Sequence, residues 1–270
     1  MLVVPKWTKK KYEAYLKEGR GQGEKKEYIP WIKVQDLPKN SSVDYWLMSP
    51  GWTTQRCHHI FSKLESYIFF LFEWSDAVID IRERYPLLDL DLAMAIAEEA
   101  GIKYPKRYNT PHILTVDFFV TLNTSEGIIH KARSICHSEA LEDMEIIEIL
   151  EIKRRYFAEK EIDWAITTEK AVEENANLYS NLEFLHGCYF RDLTIDRLEN
   201  QVPYLIEKLQ SDEPILTVIN SLNDELRVDP GSVGRLFWHL VARKKILVDL
   251  KTYTLPLNIS KLSFSDIALS

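Results

Sequence analysis

The sequence predicts a mixed α/β layer architecture followed by a mostly helical module that ends in a winged-helix-type arrangement. Two observations carry this. Between residues 61 and 170 the hydrophobic periods read helix, strand, strand, strand, helix, strand, which is not the regular alternation of a doubly wound nucleotide fold. From about Lys170 onward the texture changes to short helical runs, so two domains are expected, residues 1–170 and 171–270.

The elements follow in order. "FSKLESYIFFLFEW" places Leu64, Tyr67, Ile68 and Leu71 at helical spacing, and predicts one amphipathic helix over Phe61–Trp74. "AVIDIRERYPLL" is a short extended piece stopped by Pro86. "HILTVDFFVTL" and "GIIHKARSIC" are β-rich runs joined by the turn composition of "NTSEG", which predicts an antiparallel hairpin. "EDMEIIEILEIKRRYFAEK" returns to helical intervals through Met144, Ile147, Leu150 and Ile152, and "DWAITTE" to strand character. In the second domain Asp229 and Pro230 read as N-cap and first-turn signals. Val233, Phe237, Leu240 and Val241 then share one helical face, and a strand with a turn follows.

The composition, 46% apolar and 28% charged over 270 residues, is that of a globular chain able to bury a core, with no run of apolar residues long enough to span a bilayer. The Lys-rich start lacks an apolar signal region, and Cys57, Cys136 and Cys188 form no disulfide framework, so a reducing cytoplasm is expected. The net charge of −7 argues against a protein that coats nucleic acid, yet residues 1–40 carry ten Lys/Arg against five Asp/Glu. That basic arm fits a solvated tail and a DNA contact equally well.

Three positions in the first domain could converge on chemistry. Asp117 lies inside the apolar strand "ILTVDFFV", where an ionised carboxylate needs a cation or a metal. Glu65 borders the apolar face of its helix, but "SKLE" also makes it the capping-box partner of Ser62, and both readings stay open. Ser134 and Cys136 share one face of the second hairpin strand, while Lys131, Arg133 and Ile135 point the other way. Two carboxylates and a lysine near a strand end would make a divalent-metal nuclease site, the lysine orienting water and offsetting phosphate charge. "RCHHI" with the "CH" of 136–137 lacks zinc-ligand spacing, and His58 and His59 read as packing or phosphate-facing residues.

"GRGQGEKKEYIPWIKVQDLP", "HHIFSKLE", "VIDIRERYPL", "TVDFFV" and "IKRRYF" followed by "IDWAITTE" resemble, in order over residues 18–170, the TnsA family, the endonuclease subunits of heteromeric cut-and-paste transposases. The resemblance implies a restriction-endonuclease-like core with a C-terminal winged-helix-type domain. It also implies a divalent ion, Mg²⁺ or Mn²⁺, held by Glu65 as the helix glutamate and Asp117 as the strand aspartate. The family's next element is a polar residue, an apolar residue and a catalytic lysine. "SIC" stands there, so Ser134 fits and Cys136 does not. The partners implied are DNA at transposon ends, a TnsB-type DDE transposase and a TnsC-type AAA+ ATPase, with no membrane; the location implied is the bacterial cytoplasm, on the nucleoid during transposition. Without the "GRGQG" match that segment would read as a flexible hinge.

The missing lysine leaves two expectations. Either the chain makes or supports metal-dependent 5′-strand cleavage at transposon ends, weakly for want of the charge, or it is an impaired pseudo-nuclease acting as adaptor between transposase and ATPase. A substitute cation could come from Lys131 or Arg133 if a bulge inverted the strand, or from Lys153 if its helix packs close. In the second domain Arg235, His239 and Arg243 repeat every four residues, as a solvated face or one that contacts DNA or a protein partner.

Overall fold

A computed structural model describes residues 7–37, 45–107, 109–256, 259, 262 and 267–269, and the chain divides into two compact units, Met1–Glu173 and Glu174–Ser270. The first unit runs through α1 (Lys9–Lys17), the hairpin of β1 (Leu47–Pro50) and β2 (Cys57–Ile60), α2 (Lys63–Trp74), β3 (Val78–Pro86) and α3 (Leu90–Glu99). A short β4 (Lys106–Arg107) and β5 (Thr110–Pro111) lead into β6 (Thr115–Thr124), β7 (Gly127–Ile135), α4 (Met144–Glu159), β8 (Asp163–Thr167) and α5 (Glu169–Glu173).

The sheet has the order β3-β6-β7-β8. Its first two pairings are antiparallel and β7 to β8 is parallel, the connection that requires a crossover and here receives α4. Phe118 and Phe119 on β6 point to opposite faces. Phe118 meets Phe69 and Phe72 of α2, whereas Phe119 stacks on Tyr85 and reaches Phe157 of α4. The sheet is thus covered on both sides. Helix α3, which the sequence reading passed over, is capped by Asp89, whose Oδ1 accepts from Leu92 N, and buries Ala93, Ile96 and Ala97 against α4 residues Ile152 and Tyr156.

The described part of the N-terminal arm, residues 7–37, is folded. Thr8 caps α1, and Trp7 and Tyr15 pack with Trp31, Ile32, Phe61 and Ile113 in a second apolar cluster. The "GRGQG" segment is a pinned turn rather than a hinge. Arg20 stacks on the Tyr15 ring at 3.6 Å, pairs with Asp36 and donates to the Trp31 carbonyl at 3.2 Å. Gly21 sits at φ +73°, and a Cβ there would lie 2.2 Å from Pro86 Cγ, so the turn packs against the end of β3 only because this residue is glycine.

The second unit comprises α6 (Ala176–Cys188), α7 (Leu193–Leu198), α8 (Val202–Leu209), α9 (Ile215–Glu225) and α10 (Ser232–Ala242), then β9 (Ile246–Val248) paired antiparallel with β10 (Ile267–Leu269). Its last helix starts two residues later than Asp229 and Pro230 suggest. Gly231 takes the cap position at φ +85°, and Asn223 Oδ1 of α9 accepts from Val233 N at 3.0 Å, satisfying a first-turn donor from outside the helix. Among the described residues no helix is long and apolar enough to cross a membrane.

Strand β3 carries Asp80, Arg82, Glu83 and Arg84, all buried, and each is paired. Glu83 is the hub that ties β2 to the sheet. It accepts from Arg56 Nη1 and His58 Nδ1 at 2.8 Å each and from His59 N at 3.0 Å. Burial pushes the His58 imidazole below its ordinary range, so the neutral ring donates from Nδ1 and accepts the Thr54 hydroxyl at Nε2, 2.7 Å away. His58 is therefore a packing residue. Replacing Glu83 by Gln leaves the Arg56 guanidinium buried without its counter-charge, and unfolding titrations should show a loss of about 3–5 kcal/mol with unchanged denaturant slope.

Candidate active site

Glu65 and Asp117 converge on one cation, the guanidinium of Arg84. Ser62 caps α2, its Oγ accepting from Glu65 N at 3.0 Å, but the reciprocal half of a capping box is absent. The Glu65 carboxylate instead accepts from Phe61 N at 3.1 Å and from Arg84 Nη2. Asp117 accepts from Arg84 Nη1 at 2.5 Å and, through its other oxygen, from Ile135 N at 2.7 Å. Capping geometry and site geometry are therefore compatible: the backbone N–H of Glu65 serves the cap and its side chain serves the cavity.

Sheet register explains the Arg84 position. Glu83 faces Phe118 and Tyr85 faces Val116, so Arg84 stands opposite Asp117. Its backbone is left-handed at φ +50°, an arrangement that costs about 1–3 kcal/mol for a residue with a Cβ and persists where surrounding contacts impose it. Those contacts include the Phe61 ring 4.8 Å from the guanidinium carbon and Trp31 N donating to the Arg84 carbonyl at 3.3 Å. Burial pushes the Glu65 carboxyl above its ordinary range. Arg84 pulls it down and Asp117 pushes it up.

These side chains border a cavity of about 270 Å³ whose other walls include His112, Ser134, Cys136 and, from α4, Ile146, Ile149, Leu150 and Lys153. Ser134 is buried and its Oγ accepts from Trp164 Nε1 at 3.3 Å. The Cys136 thiol is half-buried. Burial raises its pKa, Asp117 raises it further and Lys153 lowers it, so the thiol is uncharged at neutral pH. Lys131 and Arg133 do not enter this cavity. β7 keeps its register through Ile135, and both side chains pair with Asp163 on β8, at 3.7 and 2.8 Å. The bulge that would have turned them inward is not there.

Lys153 does reach the cavity. It occupies the i+7 position of the stripe Ile146, Ile149, Leu150, so the helix turns that aim three apolar side chains at the sheet aim this lysine too. Arg84 and Lys153 are the functional candidates that the sequence reading missed or left conditional. The available signals were a run of charges inside a buried strand and a lysine in line with an apolar stripe.

The donor chemistry suits a hard divalent cation in part. Two carboxylates converge, each oxygen retaining an unused lone pair, but Arg84 holds the place between them. Among the described residues no group of three or more His, Cys, Asp or Glu side chains is placed to hold a metal ion, and Cys57 is exposed while His58 is fully buried.

In the second unit the helical row is broken. Arg235 is exposed beside Asp192 at 3.4 Å, and Arg243 lies over the Tyr189 ring at 4.5 Å. His239 is buried, with its Nδ1 3.0 Å from the Cys188 carbonyl, which corrects its assignment to an outward DNA-facing row. α10 is buried nearly all round, with Leu236, Trp238 and Ala242 inside as well, and a four-residue period in such a helix does not mark a solvent face.

Two family profiles match the chain: one described as TnsA-like endonuclease N terminal over residues 75–169, which takes in Asp117, Ser134 and Cys136 but not Glu65, and one described as TnsA endonuclease C terminal over residues 175–250. Among curated proteins the chain is similar to transposon Tn7 transposition protein TnsA of Escherichia coli, with 35% identity over 210 residues, 77% of this chain and 74% of that protein. The mixed sheet, the helical second unit and these matches together place the chain in the TnsA-like endonuclease family.

Proposed function

We propose that this protein is the endonuclease subunit of a heteromeric DNA transposase, making divalent-metal-dependent cleavage of the 5′ strand at transposon ends, beside a TnsB-type transposase and a TnsC-type ATPase. The observation that carries this reading is the convergence of Glu65 and Asp117 on one point in a cavity. The similarity to a transposition protein supports the process, and the family resemblance implies transposon-end DNA and the two partners. The reading takes residues 1–170 as the nuclease domain and 171–270 as a winged-helix-type domain for DNA or a partner.

The reaction is hydrolysis of a phosphodiester. The oxygen of a water forms a new bond to phosphorus, the bond to the leaving sugar oxygen breaks, the attacking water gives its proton to solvent and the leaving oxygen takes one. Mg²⁺ or Mn²⁺ bound to Glu65 and Asp117 would supply Lewis-acid charge at the phosphate and a more acidic water. Arg84 holds both carboxylates in place, and the Ile135 N–H fixes the rotation of Asp117. Ile146, Ile149 and Leu150 of α4 give the cavity an apolar wall facing these charges.

A second reading, an adaptor that activates the transposase and recruits the ATPase without cutting, is favoured by Cys136 in the lysine's place and by Arg84 between the carboxylates. An end-cleavage assay with the purified partners and Mg²⁺ separates the two. Asp117→Asn or Glu65→Gln should lower 5′-strand cleavage by about 10²-fold or more while partner-catalysed 3′ cutting persists. An intact protein that supports 3′ cutting and never cuts the 5′ strand would leave the adaptor reading.

Arg84 competes with any divalent ion for the same oxygens. Thermal unfolding of Arg84→Gln should begin from a lower midpoint than the unaltered protein, because two buried carboxylates lose their cation. Adding Mg²⁺ or Mn²⁺ should then raise that midpoint by more than it does in the unaltered protein. Equal responses would mean that the ion does not use this pair.

For the second domain, the double change Arg235→Ala and Arg243→Ala should flatten the salt dependence of binding to end DNA by about two units of slope if both residues contact phosphate. An unchanged slope with lost ATPase binding assigns that surface to protein.

A further inference from the structure

A cation is needed beside the scissile phosphate, and the strand position that would carry it holds Cys136, uncharged and unable to donate more than a weak S–H bond. The same cavity wall supplies an alternative. Lys153 is half-buried on the inward face of α4, within electrostatic reach of Asp117, Arg84 and Cys136. Among the described residues it has neither hydrogen-bond nor ion-pair partner. Other basic side chains nearby are occupied: Arg84 by Glu65 and Asp117, Lys131 and Arg133 by Asp163. A lysine stem in an apolar stripe costs little, because its methylenes pack; burial pulls the ammonium below its ordinary pKa range and Asp117 pushes it back up, and an incoming phosphate would favour the charged form further.

We propose that Lys153, presented from α4, is the catalytic cation of this chain and contacts the scissile phosphate in place of the strand lysine that Cys136 has replaced. The proposal rests on the nuclease reading above. In it the active site has its carboxylates on α2 and β6 and its cation on the crossover helix between β7 and β8. The charge absent from the strand is restored across the cavity rather than lost, so cleavage is restored with it.

The test is reciprocal. In end cleavage with the transposase and ATPase partners and Mg²⁺, Lys153→Met should reduce 5′-strand cutting by about 10²–10³-fold, the scale of losing one preorganised electrostatic stabiliser. Adding Cys136→Lys to Lys153→Met should recover at least about tenfold of that loss, which the repair of a merely structural defect would not do. A second readout is independent of turnover: on the Asp117→Asn protein, a transposon-end duplex should protect Lys153 from amine acetylation at least about threefold, as expected of an ammonium in contact with phosphate. If the unaltered chain and Lys153→Met cut equally while Asp117→Asn is dead, the proposal falls and the nuclease reading stands. An unaltered chain that is idle but activated by Cys136→Lys likewise keeps the nuclease site and rejects Lys153. If no variant cuts, Cys136→Lys included, the nuclease reading fails and takes the proposal with it. An unprotected Lys153 on bound DNA overturns the proposal whatever the rates.

Discussion

Two carboxylates buried against each other repel strongly unless a cation lies between them, and in this chain that cation is Arg84. Its guanidinium joins the first turn of α2 to the middle of the sheet, so the bridge fixes how the helix sits on β6 as well as where the acids point. The register that puts Arg84 opposite Asp117 follows from the pairing of β3 with β6, and the left-handed backbone at Arg84 is sustained by that pairing and by the Phe61 and Trp31 contacts. Strand pairing, helix placement and site electrostatics thus share one side chain. Arginine suits the role because its planar fork binds two carboxylates at once and stays charged when buried.

The adjoining charges on β3 extend the same logic away from the cavity. Glu83 points to the other side and gathers Arg56, His58 and the His59 N–H, while Asp80 and Arg82 pair at 3.1 Å. Each ion on the strand has a counter-ion or donor, which is the condition for burying so many charges in one element. The arrangement separates two functions along one strand. One set of carboxylate contacts secures the β1–β2 hairpin, the other opens onto the cavity, and neither borrows a partner from the other.

Much of the sheet was legible in the sequence because its signals are local. The β6–β7 hairpin and α2 carry readable hydrophobic periods, α4 was recognisable as a helix although Met144 and Ile147 of its apolar row are exposed, and Asp117 stood out as a charge in an apolar strand. Glu65 could not be resolved between cap and site because both uses need the same residue at the same place; in the structure only its backbone N–H serves the cap, as that of any residue there would, while its carboxylate turns to Phe61 N and Arg84. Arg84 escaped notice since its importance depends on what lies across the strand, information held by register and not by spacing. Helix α3 escaped because its apolar stripe is short and Ala-rich, and the arm before residue 37 because its aromatic residues find their partners far along the chain, as when Trp7 donates to the Pro111 carbonyl at 2.9 Å. His239 shows the opposite error: a periodic row implies a face, but only burial decides whether that face meets water.

The charge balance of the cavity gives a reason why cysteine at position 136 is compatible with the rest of the site. Glu65 and Asp117 already face Arg84 and Lys153, so the formal charges cancel before any ligand enters. A third cation at position 136 would add a positive charge in a partly desolvated space whose nearby acids are already engaged, Asp117 with Arg84 and the Ile135 N–H and Glu169 with Ser138. A thiol adds no charge there. Burial and Asp117 keep it protonated, so it does not tip the balance toward excess negative charge either. An uncharged cysteine on the strand and an inward lysine on α4 are then two sides of one electrostatic constraint: beside Arg84, the cavity's positive charge comes from the helix, facing the carboxylates of α2 and β6.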